Sequence, residues 1–256
     1  MTTLQDATTP KGGILEVRDG WRQGKGAYGG LTIAAAIRGI EQRIADPRRT
    51  VRSVTAEIPA PTLSGDVAVE VDVLRTGASV SVARAALRQN GEVTTHAVAV
   101  LGAAREHADA MTWCTLTPPA APSWRTLEPA RDAGWPEFGQ HFECRIVTGV
   151  PFSGGAPDTV GWVRAREPGA ARDAAYVAAM IDVWYPAVLV PMKAMRPMGT
   201  TAYTLEVVGL PEGDAPLLYR GRVDVAHDGY FLERRELWTE DGRLLAINHQ
   251  TFTVIK

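Results

Sequence analysis

Apolar and polar residues follow a repeating order along the first part of the chain. From about Leu31 to Ile44, apolar residues recur at intervals of three and four, which predicts a helix. Val67–Leu74 alternates between apolar and polar residues and predicts a half-buried strand. Strand-like segments also cover 79–89 and 93–102, and the Asn-Gly pair between them is typical of a hairpin turn. We therefore expect one long helix and an antiparallel meander.

A second apolar stretch, Ala174–Met192, contains a single charged residue, Asp182. A lone carboxylate is costly to bury unless hydrogen-bond donors or another charge meet it. Pro186 cannot donate to the carbonyl of Asp182, so a helix here should bend or end just past the carboxylate. The stretch alone leaves two interpretations open, a structurally satisfied core aspartate and a catalytic acid or base in a dry pocket.

The second part of the chain repeats the first. The turn pairs Asn90-Gly91 and Asp241-Gly242 are 151 residues apart, and Gly77 and Gly229 follow corresponding strands 152 residues apart. We expect two copies of one small α+β unit, each a curled antiparallel sheet around a central helix. The predicted division is an N-terminal unit at 1–105, a proline-rich surface linker at 106–140 and a C-terminal unit at 141–256.

Composition and charge argue against several classes of function. The 256 residues include 27 Lys and Arg and 29 Asp and Glu, so the chain lacks the basic excess of nucleic-acid-binding proteins. Cys114 and Cys144 do not form a metal-binding or disulfide pattern, which favours a reducing, cytoplasmic setting. The charge and prolines in the second apolar stretch argue against a membrane span. We expect no metal and no organic cofactor.

Two longer motifs resemble a known family. AYGGLTIAAAIRGI and RSVTAEIPAPTLSGDVAVEVDVLRTGASVSVARAALRQNGEV are similar to the first half of the TesB-like acyl-CoA thioesterase II family, including its R-x-G-x-S-x-S strand and Asn-Gly turn. The resemblance extends over nearly all of 13–105 and 141–256. It implies a double hotdog fold, in which two sheets wrap two central helices and join edge to edge.

The resemblance also implies a site. The family holds its attacking water with an Asp, a Ser or Thr and a Gln, all in the second half. Asp182 matches the Asp-x-x-x-Pro setting, and Gln250 matches the Gln of the last strand in LLAINHQ. The hydroxyl residue opens the strand after the second helix, where Thr200 is the better match and Thr201 the alternative.

The chain departs from the family at two positions near that hydroxyl. Ala202 stands where the family usually has a second Asp, and Glu206 stands where an aromatic residue or His is usual. Both departures bear on substrate choice. In the first half, the counterpart of Gln250 is Ala99, and no carboxylate interrupts the helix from Leu31 to Ile40, so only the second half is expected to be catalytic.

These observations predict an acyl-CoA thioesterase that releases a carboxylic acid and free CoA by direct attack of water. The substrate would be an acyl-CoA or an acyl-carrier thioester. Two alternatives stay open: a hotdog hydratase or dehydratase acting on enoyl thioesters, and a non-catalytic acyl-thioester binding protein. Exposed sheet edges favour a homo-oligomer.

Overall fold

The computed structural model describes residues 2–105, 112–130 and 135–255, and the α-helices and strands lie in the first and last of these ranges. The α-helices are α1 (Leu4–Ala7), α2 (Gly29–Ile44) and α3 (Ala174–Ile181). The strands of the first half are β1 (Ile14–Val17), β2 (Arg22–Gln23), β3 (Gly26–Ala27), β4 (Arg49–Glu57), β5 (Gly65–Thr76), β6 (Val80–Gln89) and β7 (Glu92–Ala103). Those of the second half are β8 (Phe142–Thr148), β9 (Asp158–Ala165), β10 (Met198–Val207), β11 (Leu217–His227), β12 (Tyr230–Trp238) and β13 (Leu244–Val254).

One large antiparallel sheet joins the two halves. Its strand order is β1-β5-β6-β7-β4-β10-β13-β12-β11-β9-β8, and β2 and β3 pair separately. The halves meet where β4 pairs with β10, with Thr55 opposite Thr204. The predicted α+β double hotdog architecture and its edge-to-edge junction are therefore confirmed.

The two long helices lie antiparallel inside the curved sheet. At one end, Arg38 of α2 pairs with Asp173, the N-cap of α3, at 3.1 Å. At the other end, Asp182 receives a backbone hydrogen bond from Gly30, near the start of α2. Helix α3 ends at Ile181, and Asp182 is its C-cap. The helix was predicted to bend or end just past the carboxylate, and it ends at the residue before it.

Strand registers confirm the internal repeat. In the second half, Gln250 of β13 lies opposite Glu233 of β12. In the first half, Ala99 of β7 lies opposite Ala83 of β6. The same sheet positions thus carry an amide and a carboxylate in one copy and two alanines in the other. Each copy serves as a structural reference for its counterpart.

The described part of the predicted linker follows the surface but is not loosely attached. It forms a 3₁₀ turn at Trp124–Thr126 and no strand within 112–130. Trp124 is only 6% exposed and packs with Trp162 and Trp238 on the sheet face opposite the helices. Residues 106–111 and 131–134 of the predicted linker lie outside the described residues. Among the described helices, none is long and apolar enough to cross a membrane.

Candidate functional site

The side chains of Asp182, Thr200 and Gln250 meet at one end of the helix pair. The Gln250 Nε2 group donates to Oδ1 of Asp182 at 2.7 Å. The Thr200 hydroxyl donates to Oε1 of Gln250 at 3.1 Å. A hydroxyl, an amide and a carboxylate are therefore connected in a row, although the three residues are far apart in sequence.

A β-bulge selects Thr200 over its neighbour. The pairing of β10 with β13 shifts between Thr200 and Ala202, so Thr201 is the extra residue. A bulge turns the side chains on either side of it relative to a regular strand. The Thr201 hydroxyl donates to the carbonyl of Thr251 at 3.0 Å, while that of Thr200 reaches Gln250. Of the two candidate hydroxyls, Thr200 is the one in the network.

Asn248 fixes the orientation of the Gln250 amide. Gln250 Nε2 donates to Oδ1 of Asn248 at 2.9 Å, and the amide nitrogen of Asn248 donates to the carbonyl of Thr204 at 2.8 Å. With two acceptors around Nε2 and the Thr200 hydroxyl at Oε1, only one amide orientation satisfies every contact. The sequence did not identify Asn248 as part of the site.

Asp182 is also paired with a buried cation that sequence reasoning missed. An amino group of Arg235, a side chain only 1% exposed, lies 3.2 Å from Oδ1 of Asp182. Arg235 Nε donates to Glu233 Oε1 at 2.7 Å. The other oxygen of Glu233 accepts from the backbone N–H of Ala187 at 2.7 Å. The carboxylate that looked isolated in sequence is the end of a buried charge network.

Side chains also satisfy the carboxyl end of α3. The last carbonyls of a helix have no partner within the helix. Here the carbonyl of Ala178 accepts from the phenol of Tyr203 at 3.1 Å, and that of Ala179 accepts from the phenol of Tyr28. Arg235 donates to the final helical carbonyl at 3.3 Å. These contacts hold the C-cap, and therefore its carboxylate, in one position.

The electrostatic surroundings keep Asp182 basic. The residue is 9% exposed, and its burial raises the pKa of the carboxyl above the usual value. Arg235, the Gln250 amide and the Gly30 N–H oppose this effect, whereas the charge of Glu233 adds to it. A carboxylate with a raised pKa is a better proton acceptor near neutral pH than an exposed aspartate.

The three predicted side chains all belong to the second half, and the first half adds a backbone contact to their cluster. The backbone of Gly30 belongs to α2 in the first half. A Cβ at Gly30 would collide with the phenol of Tyr28 and lie 3.0 Å from the Cβ of Asp182. A glycine is therefore required for the close approach of the two helices at this point.

A groove of about 720 Å³ occupies the opposite end of the helix pair. Its wall includes Val51 and Leu101, which pair across β4 and β7. The equivalent pair in the second half is Thr200 and Phe252, across β10 and β13. The groove lies at the repeat-related position of the site, where charged residues such as Glu41, Arg49 and Asp173 line the wall in place of the amide and hydroxyl groups around Asp182.

The two departures from the family pattern lie away from the network. Tyr203 and Leu205 on β10 are fully buried, while the alternate positions Ala202 and Glu206 are partly or fully exposed. Successive residues of a strand point to opposite faces. Both departures therefore face away from Asp182. Among the described residues, no group of three or more His, Cys, Asp or Glu side chains is arranged to hold a metal ion.

Comparison with known proteins identifies the class. A model of the acyl-CoA thioesterase C-terminal domain matches residues 114–254, and one of the acyl-CoA thioesterase N-terminal domain matches residues 17–102. The chain belongs to this two-domain acyl-CoA thioesterase family. The family supports thioester hydrolysis as the general reaction. A comparison with curated proteins returned no match.

Solved structures agree on the fold. A conserved protein of unknown function with a hot dog fold from Alicyclobacillus acidocaldarius is 26% identical, with a TM-score of 0.89 over 99% of this chain and 98% of that one. A putative thioesterase II from Thermobifida fusca is 22% identical, with a TM-score of 0.85 over 100% and 98% of the two chains. The tesB protein of Mycobacterium avium subs paratuberculosis is 18% identical, with a TM-score of 0.78 over 95% and 92%.

Proposed function

We propose that the protein hydrolyses an acyl-CoA to a carboxylic acid and free CoA, with Asp182, Thr200 and Gln250 holding the attacking water. The observation that carries the proposal is the row of hydrogen bonds from the Thr200 hydroxyl through the Gln250 amide to the buried Asp182 carboxylate. Membership in the acyl-CoA thioesterase family supports the choice of thioester over other acyl compounds.

Each residue has a distinct task in this mechanism. Asp182 accepts a proton from water as the water oxygen bonds to the thioester carbonyl carbon. Gln250 and Thr200 orient the water, since an amide and a hydroxyl can each both donate and accept. The carbon–sulfur bond then breaks, and the proton held by Asp182 passes to the departing sulfur. No covalent bond between enzyme and acyl group is needed.

The start of α2 supports binding of the thioester carbonyl at this point. The amino end of a helix carries a partial positive charge and N–H groups without helical partners. Gly29 stands at that end beside the carboxylate of Asp182, and the N–H of Gly30 already donates to that carboxylate. A thioester carbonyl oxygen that becomes negatively charged near Gly29 would be stabilised by the positive end of the helix.

The proposal extends to access and organisation. Thr200, Gly29 and Ile58 are partly exposed around the buried carboxylate, so the thioester would approach where the two halves meet. We also propose the division into units at 1–105 and 141–256, with the carboxylate, hydroxyl and amide in the second. This division is supported by the pairing of β4 with β10, which is where the two halves meet in the sheet.

Release of free thiol from acyl-CoAs of several chain lengths tests the reaction, with the matching acyl-carrier thioesters assayed in parallel. A single turnover in ¹⁸O-labelled water tests the mechanism. We expect one labelled oxygen in the product acid and none in the carboxylate of Asp182. Label in Asp182 would indicate nucleophilic attack by the enzyme, and no thiol release from any acyl-CoA would overturn the proposed function.

A further inference from the structure

Glu233 and Arg235 form a buried ion pair that the fold itself does not require. Arg235 lies opposite Asn248, and Glu233 lies opposite Gln250. The first half has alanine at all four equivalent positions: Ala83, Ala85, Ala97 and Ala99. All four alanines are fully buried, and the sheet there has the same register. The same piece of architecture is therefore built in this chain without any of these polar groups.

A buried ion pair rarely adds net stability compared with apolar residues of similar volume, because both ions lose their hydration. Its presence in the one copy that also contains Asp182 therefore calls for a role other than stability. We propose that Glu233 and Arg235 are positioning residues for Asp182: Glu233 anchors the guanidinium, and the guanidinium holds one carboxylate oxygen of Asp182 beside Gln250. This inference rests on the proposed function, in which Asp182 is the base.

The contacts define a chain of attachment from the backbone to the carboxylate. The N–H of Ala187 binds Oε2 of Glu233 at 2.7 Å, and Oε1 of Glu233 binds Nε of Arg235 at 2.7 Å. The phenol of Tyr219 adds a contact to Oε1 at 3.3 Å. Arg235 then reaches Asp182 at 3.2 Å. Because the shorter contact is to Glu233, the arginine is held firmly by one carboxylate and shares its charge with the other.

This sharing determines how basic Asp182 can be. A cation devoted to Asp182 alone would lower the pKa of the carboxyl and make it a weak proton acceptor, and a missing cation would raise that pKa further. The ionisable groups around Asp182 are Arg235 and Glu233 on β12, Tyr28 at the start of α2, Tyr203 on β10 and Tyr219 on β11. Burial raises the pKa of all three tyrosines well above the usual value, so they stay neutral. The two charged neighbours on β12 therefore control the carboxylate.

Two variants should shift the acid limb of the pH profile, the range in which kcat/KM rises with pH as Asp182 loses its proton, in opposite directions. Glu233→Gln removes a negative charge and leaves Arg235 to Asp182, so the acid limb should move to lower pH by about one unit. The double variant E233A/R235A copies the alanines of the first half. It removes the cation that contacts Asp182 directly, so the limb should move to higher pH, with at least a roughly tenfold loss at neutral pH that is recovered in alkaline buffer.

Glu236→Gln is the matched control. Glu236 is the buried carboxylate next to Arg235 in sequence, it faces the other side of the sheet, and it accepts from Trp238 Nε1 at 3.2 Å. Its removal should leave the limb in place. If Glu233→Gln and E233A/R235A lower the rate only in parallel with their melting temperatures, without moving the limb, the pair is merely structural and the inference is wrong.

A second measurement does not depend on activity. The stability of each background is compared with its Asp182→Asn derivative across pH, which reports the folded-state pKa of Asp182 by linkage. We expect the pH at which the two curves separate to fall in the Glu233→Gln background and to rise in E233A/R235A. Unchanged separation would overturn the inference even in a protein that hydrolyses no acyl-CoA, whereas shifted separation without hydrolysis would refute the proposed function alone.

Discussion

Asp182→Asn is the most direct perturbation of the candidate site. The amide keeps the shape of the side chain and can still accept at one oxygen, so Gln250 and Arg235 retain their contacts. It cannot accept the proton of an attacking water. Loss of a positioned general base lowers rates by a factor on the order of 10²–10⁴. We expect that reduction in thiol release from acyl-CoA.

The structure also determines the effect of this change on stability. An NH₂ group facing the N–H of Gly30 leaves one donor unmet, which costs about 1–3 kcal/mol. Removing a buried negative charge next to Glu233 acts in the opposite direction, and each unit by which the pKa of Asp182 is raised corresponds to about 1.4 kcal/mol. Because the two effects act in opposite directions, we expect the free energy of unfolding at neutral pH to change by less than about 2 kcal/mol.

The pH dependence of this difference has a definite sign. The raised pKa means that folded Asp182 prefers to be protonated, so its contribution to stability is present below the unfolded pKa and is lost as the pH rises through the folded pKa. The asparagine variant lacks this loss. Its stability relative to the parent should therefore be greatest at high pH and should decline in acid, as measured by urea unfolding across pH.

Asp173→Asn is the matched control, since Asp173 caps the other end of the same helix and pairs with Arg38. It should lower the melting temperature and leave the rate per folded molecule unchanged. Full turnover by Asp182→Asn, with Asp173→Asn behaving as expected, would refute the role of Asp182 as the base.

Three further outcomes can be measured on the same protein. Thr200→Val should reduce kcat at least about tenfold because the water loses a partner, whereas Thr201→Val should lose only a backbone contact worth about 1 kcal/mol; equal kcat values for the two would contradict the bulge argument. Trp124→Ala should destabilise the chain by about 3 kcal/mol in urea unfolding, while Trp113→Ala, at a side chain 73% exposed, should change it little. Burial and the nearby charge of Asp173 raise the pKa of Glu41 to about 7. The parent should therefore lose stability as the pH rises through that value, and Glu41→Gln should not. If the melting temperatures of the two proteins change with pH in the same way across that range, this pKa is wrong.

The fold could be predicted because the repeat leaves its turns in register. The pairs Asn90-Gly91 and Asp241-Gly242 mark equivalent hairpins, and Asn90 and Gly91 both adopt the positive φ that such a turn requires. The three proposed site residues were reached through the family resemblance, and the structure brings their side chains into contact. Their chemical role stays a prediction.

The charge network could not be predicted because the alternation of residues along β12 does not show which of its charged side chains face the helices. Glu233 and Arg235 share one face of the strand, and Arg234 and Glu236 share the other, so each face carries one acid and one base. Which pair faces the helices depends on the register set by the neighbouring strands. Gly30 was missed as a contact for a related reason, since its approach to Asp182 depends on how two distant helices pack.

Trp124 shows a further limit of composition. A proline-rich segment without periodicity is typical of a surface connection, and the described residues of this segment do follow the surface. The sheet beneath them is nevertheless apolar on its outer side in the second half. One aromatic side chain from the connection covers that surface, and Arg145 lies 4.2 Å above its ring.

Strands β4 and β10 join two repeats of one unit within a single chain, much as an interface joins two subunits of a dimer. The two repeats can therefore change independently of each other. In a symmetric pair of identical subunits, every substitution appears twice, so a residue needed at one site must be kept at both. A tether also holds its partner at a local concentration in the millimolar range, so the halves stay together on dilution. The copy with Ala97 and Ala99 can therefore differ at these positions from the copy with Asn248 and Gln250, while the two halves stay paired.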